Sequence, residues 1–194
     1  MGMAQVIAEN YVTVGSLKVR YLEVGVGGVP VVVMPPVNLT VSSILNVAGE
    51  FTGVGLRVIA VDASSFTRMN RASKVTALSL IVDKLSSGFV LLGLGQGGVV
   101  ALDYVTQFMP KALIGLALVS TPRVINYLDL LPRLNRPMIL IYSINDPNAP
   151  VEEANTVKSV ANGARLILIN GDWVGELGKV AQLVASWVIE ITKT

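Results

Sequence analysis

Phe89-Val90-Leu91-Leu92-Gly93-Leu94-Gly95-Gln96-Gly97-Gly98-Val99-Val100-Ala101-Leu102-Asp103-Tyr104 decides the fold of this chain. The apolar run before the first glycine reads as a strand buried on both faces, because only such a strand has no polar side to show water. The glycines then mark a tight turn, and residues 99–104 continue as a helix. Residues 85–102 carry no charge and could imitate a membrane span. The glycines at 88, 93, 95, 97 and 98, with Asp103 closing the stretch, instead suit a strand, a turn and a buried helix.

The same pattern extends in both directions. Upstream, Tyr11-Val12-Thr13-Val14 and Leu17-Lys18-Val19-Arg20-Tyr21 alternate about Gly15-Ser16, which predicts an antiparallel hairpin. Short apolar runs at 31–34, 58–61, 89–92, 113–119, 138–142 and 166–169 predict buried strands. Between them, Val41, Ile44, Leu45 and Ala48 share one helical face, and Val75, Leu78, Val82 and Leu85 share another. Pro150 opens a further helix with Glu152 and Glu153 in its first turn, where the helix dipole favours acid. Val180, Leu183, Val184, Trp187, Val188 and Ile191 form the clearest helical stripe, with Trp187 in the core. Strands alternating with helices predict a mostly parallel sheet of about eight strands, covered by helices on both sides in one α/β domain, residues 1–194.

Composition bounds the chemistry. Hydrophobic residues make up 52% of the 194 positions and charged ones only 14%, so most of the chain is hidden from water and disorder is excluded. The net charge is +2, and the basic residues are scattered apart from Arg68, Arg71 and Lys74, read as a solvated loop and helix start. That is too sparse for a nucleic-acid surface. With no cysteine there is no disulfide, thiolate nucleophile or cysteine metal site. With no histidine there is no imidazole to move protons near neutral pH. Residues 1–11 show no basic-then-apolar leader, and Gly2 is followed by Val6 where a myristoylation signal has Ser or Thr. The expectation is a cytoplasmic protein that enters no membrane.

The strand–glycine turn–helix at 89–104 resembles the nucleophile elbow of the α/β-hydrolase fold family, G-x-S-x-G-G between a strand and a helix. The resemblance covers nearly the whole chain: the opening hairpin, the loop at 34–37, Val61-Asp62, and Asn145-Asp146-Pro147 before Pro150 all fall in family order. It implies a three-layer sandwich. Residue by residue, it also implies that the catalytic triad is degenerate. Gly95 stands at the nucleophile position and Asp172, in Asn170-Gly171-Asp172-Trp173, at that of the base. The family's His-Gly after the third strand is replaced by Pro35-Pro36. Asp146 alone matches, as the acid that would orient an absent base. Backbone N–H groups of Gln96 and Val37 stand at the oxyanion-hole positions, although Pro36 beside Val37 has none to offer. Only residues 121–136 separate the sixth strand from the seventh, room for one short helix over 124–134 and no lid domain.

Each of these residues also has a plainer use. Glycines serve any tight turn, and an aspartate in Asp146-Pro147 or Gly171-Asp172 suits a loop. Ser64, Ser65, Ser120 and Thr121 lie near strand ends, where hydroxyls commonly cap. The expected function is binding without catalysis, of a small molecule over the Gly95 turn or of a protein surface, a second copy included. One alternative is a hydrolase whose Asp146 and Asp172 act as an acid–base pair. A second is a dinucleotide-binding protein, since Gly93-x-Gly95-x-x-Gly98 also satisfies the dinucleotide fingerprint, with Ser120 and Arg123 placed for a 2′-phosphate. No third ligand accompanies the two aspartates, so neither a metal nor a cofactor is expected.

Overall fold

The structure, a computed structural model, describes residues 5–193. Residues 1–4 and 194, with the Gly2 lipidation reading, lie outside it. The opening hairpin is longer than the alternation alone indicates: β1 (Val6–Val14) and β2 (Leu17–Val24) pair antiparallel about Gly15-Ser16. Then follow β3 (Pro30–Met34), β4 (Arg57–Val61), β5 (Phe89–Leu94), β6 (Leu113–Val119), β7 (Met138–Ser143) and β8 (Arg165–Ile169). They form one eight-stranded sheet in the order β1-β2-β4-β3-β5-β6-β7-β8, parallel from β4 onward.

Alternation along each strand splits the core in two. Phe89 and Leu91 face one side of the sheet, under α3 (Arg71–Asp83), α4 (Gly97–Phe108) and α6 (Val151–Val160). Val90, Leu92 and Leu94 face the other, under α1 (Val41–Val47), α2 (Gly49–Thr52) and α7 (Leu177–Thr192). This is the three-layer arrangement, and Trp187 lies in its core. Among the described residues no helix is long and apolar enough to cross a membrane.

Two local readings need correction. The single helix expected over 124–134 is a 3₁₀ turn, Val124–Tyr127, followed by one α-turn, α5 (Leu131–Leu134). Pro132 lies in the first turn of α5; without an N–H it cannot carry a helix across from Tyr127. Val41, Ile44 and Ala48 do lie buried in one cluster, Ala48 capping α1 before α2 begins at Gly49. Leu85 lies beyond the end of α3 at Asp83. The β6–β7 connection therefore holds no lid.

Arg71 is not merely solvated either. Its guanidinium is hydrogen-bonded to both oxygens of Asp103 and to the Tyr127 hydroxyl, and Tyr127 donates to the same carboxylate. The link ties α3 to α4 and to the β6–β7 connection. Burial, then the Asp103 charge, pushes Tyr127 up to about 12; burial, then Asp83, does the same to Tyr104. Tyr142, donating to Thr121 O at 2.6 Å, is raised by burial as well. A phenol whose pKa is raised by folding stabilises the native state fully below its unfolded pKa, near pH 10, and loses that contribution as pH climbs through the folded value. Stability is therefore expected to fall steeply between about pH 10 and 12. With no histidine to titrate, it should stay nearly flat from about pH 6 to 9. Urea midpoints across pH, read beside tyrosinate absorbance, check both; free ionisation of all five tyrosines near pH 10 in the folded chain would contradict this.

Candidate functional site

β5 delivers the chain to Gly95 at φ +53°, a left-handed conformation that glycine adopts without steric cost. The Gly95 amide donates to Val119 O at 2.8 Å, and the first helical turn closes through Gly98 N to Gly95 O at 3.0 Å. Strand, sharp turn and helix are thus laid out as an elbow at the carboxyl edge of the sheet, where open α/β sheets present ligands.

The surrounding glycines are set by close approach. A Cβ on Gly97 would stand 2.1 Å from Met34 O, one on Gly93 would stand 2.4 Å from the Gly98 Cα, and one on Gly98 would stand 1.9 Å from Thr121 Oγ1. Gly93 packs against Gly98, and Gly98 against the Thr121 side chain, both buried. In the dinucleotide fingerprint it is the second glycine, here Gly95, that must lie open to the pyrophosphate.

Gly95 itself is covered. A Cβ built on it would lie 3.0 Å from Trp173 Cζ2. Trp173 leaves the loop after β8, is only 7% exposed, and belongs to the core beneath α7. Where the fold would present a reactive side chain, there is a hydrogen atom with an indole against it. Asp172, its chain neighbour, is exposed.

Beside the indole a cleft of about 400 Å³ opens between the β7–α6 loop, residues 145–148, and the β8–α7 loop, residues 170–174, with Asn38 at its rim. Asp146 and Asp172 both line it. Asp146 forms a turn, its Oδ1 accepting from Asn148 N at 2.9 Å. Ser143 contributes the cleft's one hydroxyl. It ends β7 on the same face as Ile139 and Ile141, toward Trp173, and is 5% exposed. Its backbone N–H donates to Ser120 Oγ at 3.0 Å, whereas its own Oγ has no partner. A hydroxyl without an acceptor for its proton is not activated as a nucleophile.

Gln96 opens α4 with its side chain exposed, Oε1 accepting from Arg123 Nη2 at 3.2 Å. Val37 is exposed on the loop after β3. The contact of Gly97 with Met34 and Pro35 sets that loop against the start of α4. Ser65 Oγ donates to Lys18 O at 2.6 Å, and Asp62, held by Arg20 Nε at 2.9 Å, accepts from the Ser64 backbone N–H at 3.0 Å. Sequence reading missed Trp173 and Ser143. Only the glycine at 95, which leaves room for a ring, hinted at the first.

The sequence matches no family profile and no curated protein. Solved structures do match over nearly their whole length. A CIB-like hydrolase of Thermoplasma acidophilum aligns at 16% identity over 96% of this chain and 99% of its own, with a TM-score of 0.78. The esterase RhEst1 of Rhodococcus sp. ECU1013 gives 15% identity, 96% and 100% coverage and 0.77. MGS-MChE2, an α/β hydrolase enzyme from lagoon-sediment metagenome, gives 19% identity, 93% and 98% coverage and 0.73. Identities this low speak for architecture alone. Strand order, elbow and these likenesses together establish that the chain has the α/β-hydrolase fold.

Proposed function

We propose that this chain is a non-hydrolytic protein of the α/β-hydrolase fold that acts by binding a small molecule in the cleft between the β7–α6 and β8–α7 loops. The observation that carries the reading is the Trp173 indole seated on Gly95. A triad needs a nucleophile and an imidazole that takes and returns its proton. Here the first position is a glycine under a ring, and the second residue type does not occur in the chain. Backbone N–H groups at Gln96 and Val37 could still hold an oxyanion, but alone they would bind rather than cleave.

The second reading is a hydrolase built on Asp146 and Asp172, and one observation favours it: both line the same cleft. Hydrolysis of short-chain p-nitrophenyl esters by the pure protein separates the two. No turnover above buffer is expected; turnover abolished by Asp146→Asn or Asp172→Asn would establish the enzyme instead. Gly95→Ser is likewise expected to give no burst of acylation. Its hydroxyl would meet the indole and no base. A stoichiometric burst from that variant would overturn the proposal.

A further inference from the structure

The lining of the cleft has a chemistry of its own. Asn38, Asn145, Asn148 and Asn170 bring four carboxamides, Asp146 and Asp172 bring two carboxylates, and no lysine or arginine joins them. A phosphate, sulfate or carboxylate ligand would meet two negative charges and no cation, which excludes anionic ligands on Coulomb grounds. A carboxamide both donates and accepts; a carboxylate only accepts. The set as a whole therefore matches a ligand whose groups also do both, and a hydroxyl is that group. An ammonium ion offers donors alone and would use only the acceptor half of each carboxamide.

Ser143 supplies the independent observation. Its hydroxyl is buried, unpaired, and on the face of β7 that turns toward the cleft and Trp173. A buried hydroxyl without a partner costs about 1–3 kcal/mol, and this one, closed off just beneath the cleft, is completed when a ligand group reaches it with a small movement of the floor. The volume, about 400 Å³, lies toward the small end of the roughly 300–1,000 Å³ typical of small-molecule sites.

We infer that the cleft binds a neutral polyhydroxylated small molecule, a monosaccharide or cyclic polyol, with Asp146, Asp172 and the asparagines around its hydroxyls and Ser143 Oγ beneath it. This rests on the binding reading above and names its ligand class.

The test is a heteronuclear NMR titration of the full chain with D-glucose, N-acetyl-D-glucosamine and myo-inositol in turn. Trp173 and Trp187 give the only two indole N–H signals, and Trp187, buried in the core away from the cleft, is the internal control. At least one of the three is expected to shift the Trp173 indole signal and the backbone signals of Asn145, Asp146, Asn170 and Asp172, leaving Trp187 still. Ser143→Ala, which removes no intramolecular bond of that hydroxyl, should fold normally and weaken binding up to about tenfold. Asn170→Ala, on an exposed loop, should also weaken it. A flat titration with all three, or movement of Trp173 by choline chloride or calcium chloride in their place, would overturn the ligand class. Ester turnover would instead sink the binding reading, so the two failures are distinguishable.

Discussion

Gly97→Ala is expected to destabilise the protein by about 3 kcal/mol or more, the largest effect of any single added methyl group at the elbow. The new Cβ would be driven to 2.1 Å from the Met34 carbonyl oxygen and 2.7 Å from Pro35 carbonyl carbon. Both are backbone atoms, and Met34 is held in β3 between two neighbouring strands. Neither can rotate aside as the end of a side chain would, so either α4 or the sheet must move. Gly178→Ala is the control: it lies in α7 with nothing within 4 Å of the added carbon. Alanine there should leave stability unchanged or raise it by up to about 1 kcal/mol, since it is the better helix former. Urea unfolding of the two variants at equal slope checks the pair. Similar midpoints would mean that α4 does not press on the loop after β3.

Trp173→Ala is expected to cost about 3–5 kcal/mol, the range for deleting a buried aromatic side chain. The indole is 7% exposed and packs with Ile141, Ile169 and Val180 beneath α7. Its removal leaves a void against Gly95 that joins the cleft, so a larger opening should accompany the lower melting temperature. Trp173→Phe should lose less, because a smaller ring still fills most of the space. The informative combination is Trp173→Ala with Gly95→Ser: the hydroxyl then has room and still no base, and esters should remain intact. If Trp173→Ala melts like the parent, the ring is not part of the core and does not plug the elbow.

The sheet was legible in the sequence because strands covered on both faces leave a simple trace. A run such as 138–142 needs no partner to be recognised, since continuous apolar residues of that length have few other places to go. The elbow was legible because three close approaches, to the Gly98 backbone, the Met34 carbonyl and the Thr121 side chain, demand glycine at 93, 97 and 98. The break at Pro132 was marked by the residue itself, yet the expected helix over 124–134 was drawn across it. The candidate site was only half legible. Asp146 and Asp172 could be placed by position along the chain, and both line the cleft. The direction of Trp173 could not be, because a loop has no periodicity to say which of two consecutive side chains turns inward. The Ser143 backbone N–H finds its acceptor in Ser120, 23 residues away, and the neighbouring sequence does not mark its Oγ as unpaired. The Arg71–Asp103–Tyr127 link likewise joins residues separated by 32 and 24 positions.

The left-handed turn at residue 95 has one more consequence. An L-amino acid with a side chain held at that φ carries a steric burden of roughly 1–2 kcal/mol, which a working enzyme tolerates for the sake of its exposed nucleophile. With glycine the elbow is relaxed: the chain keeps the sharp corner its layers are built around and is relieved of the tension that reactivity imposes. A side chain placed there would impose that tension, so within this fold a glycine corner is the mechanically relaxed one.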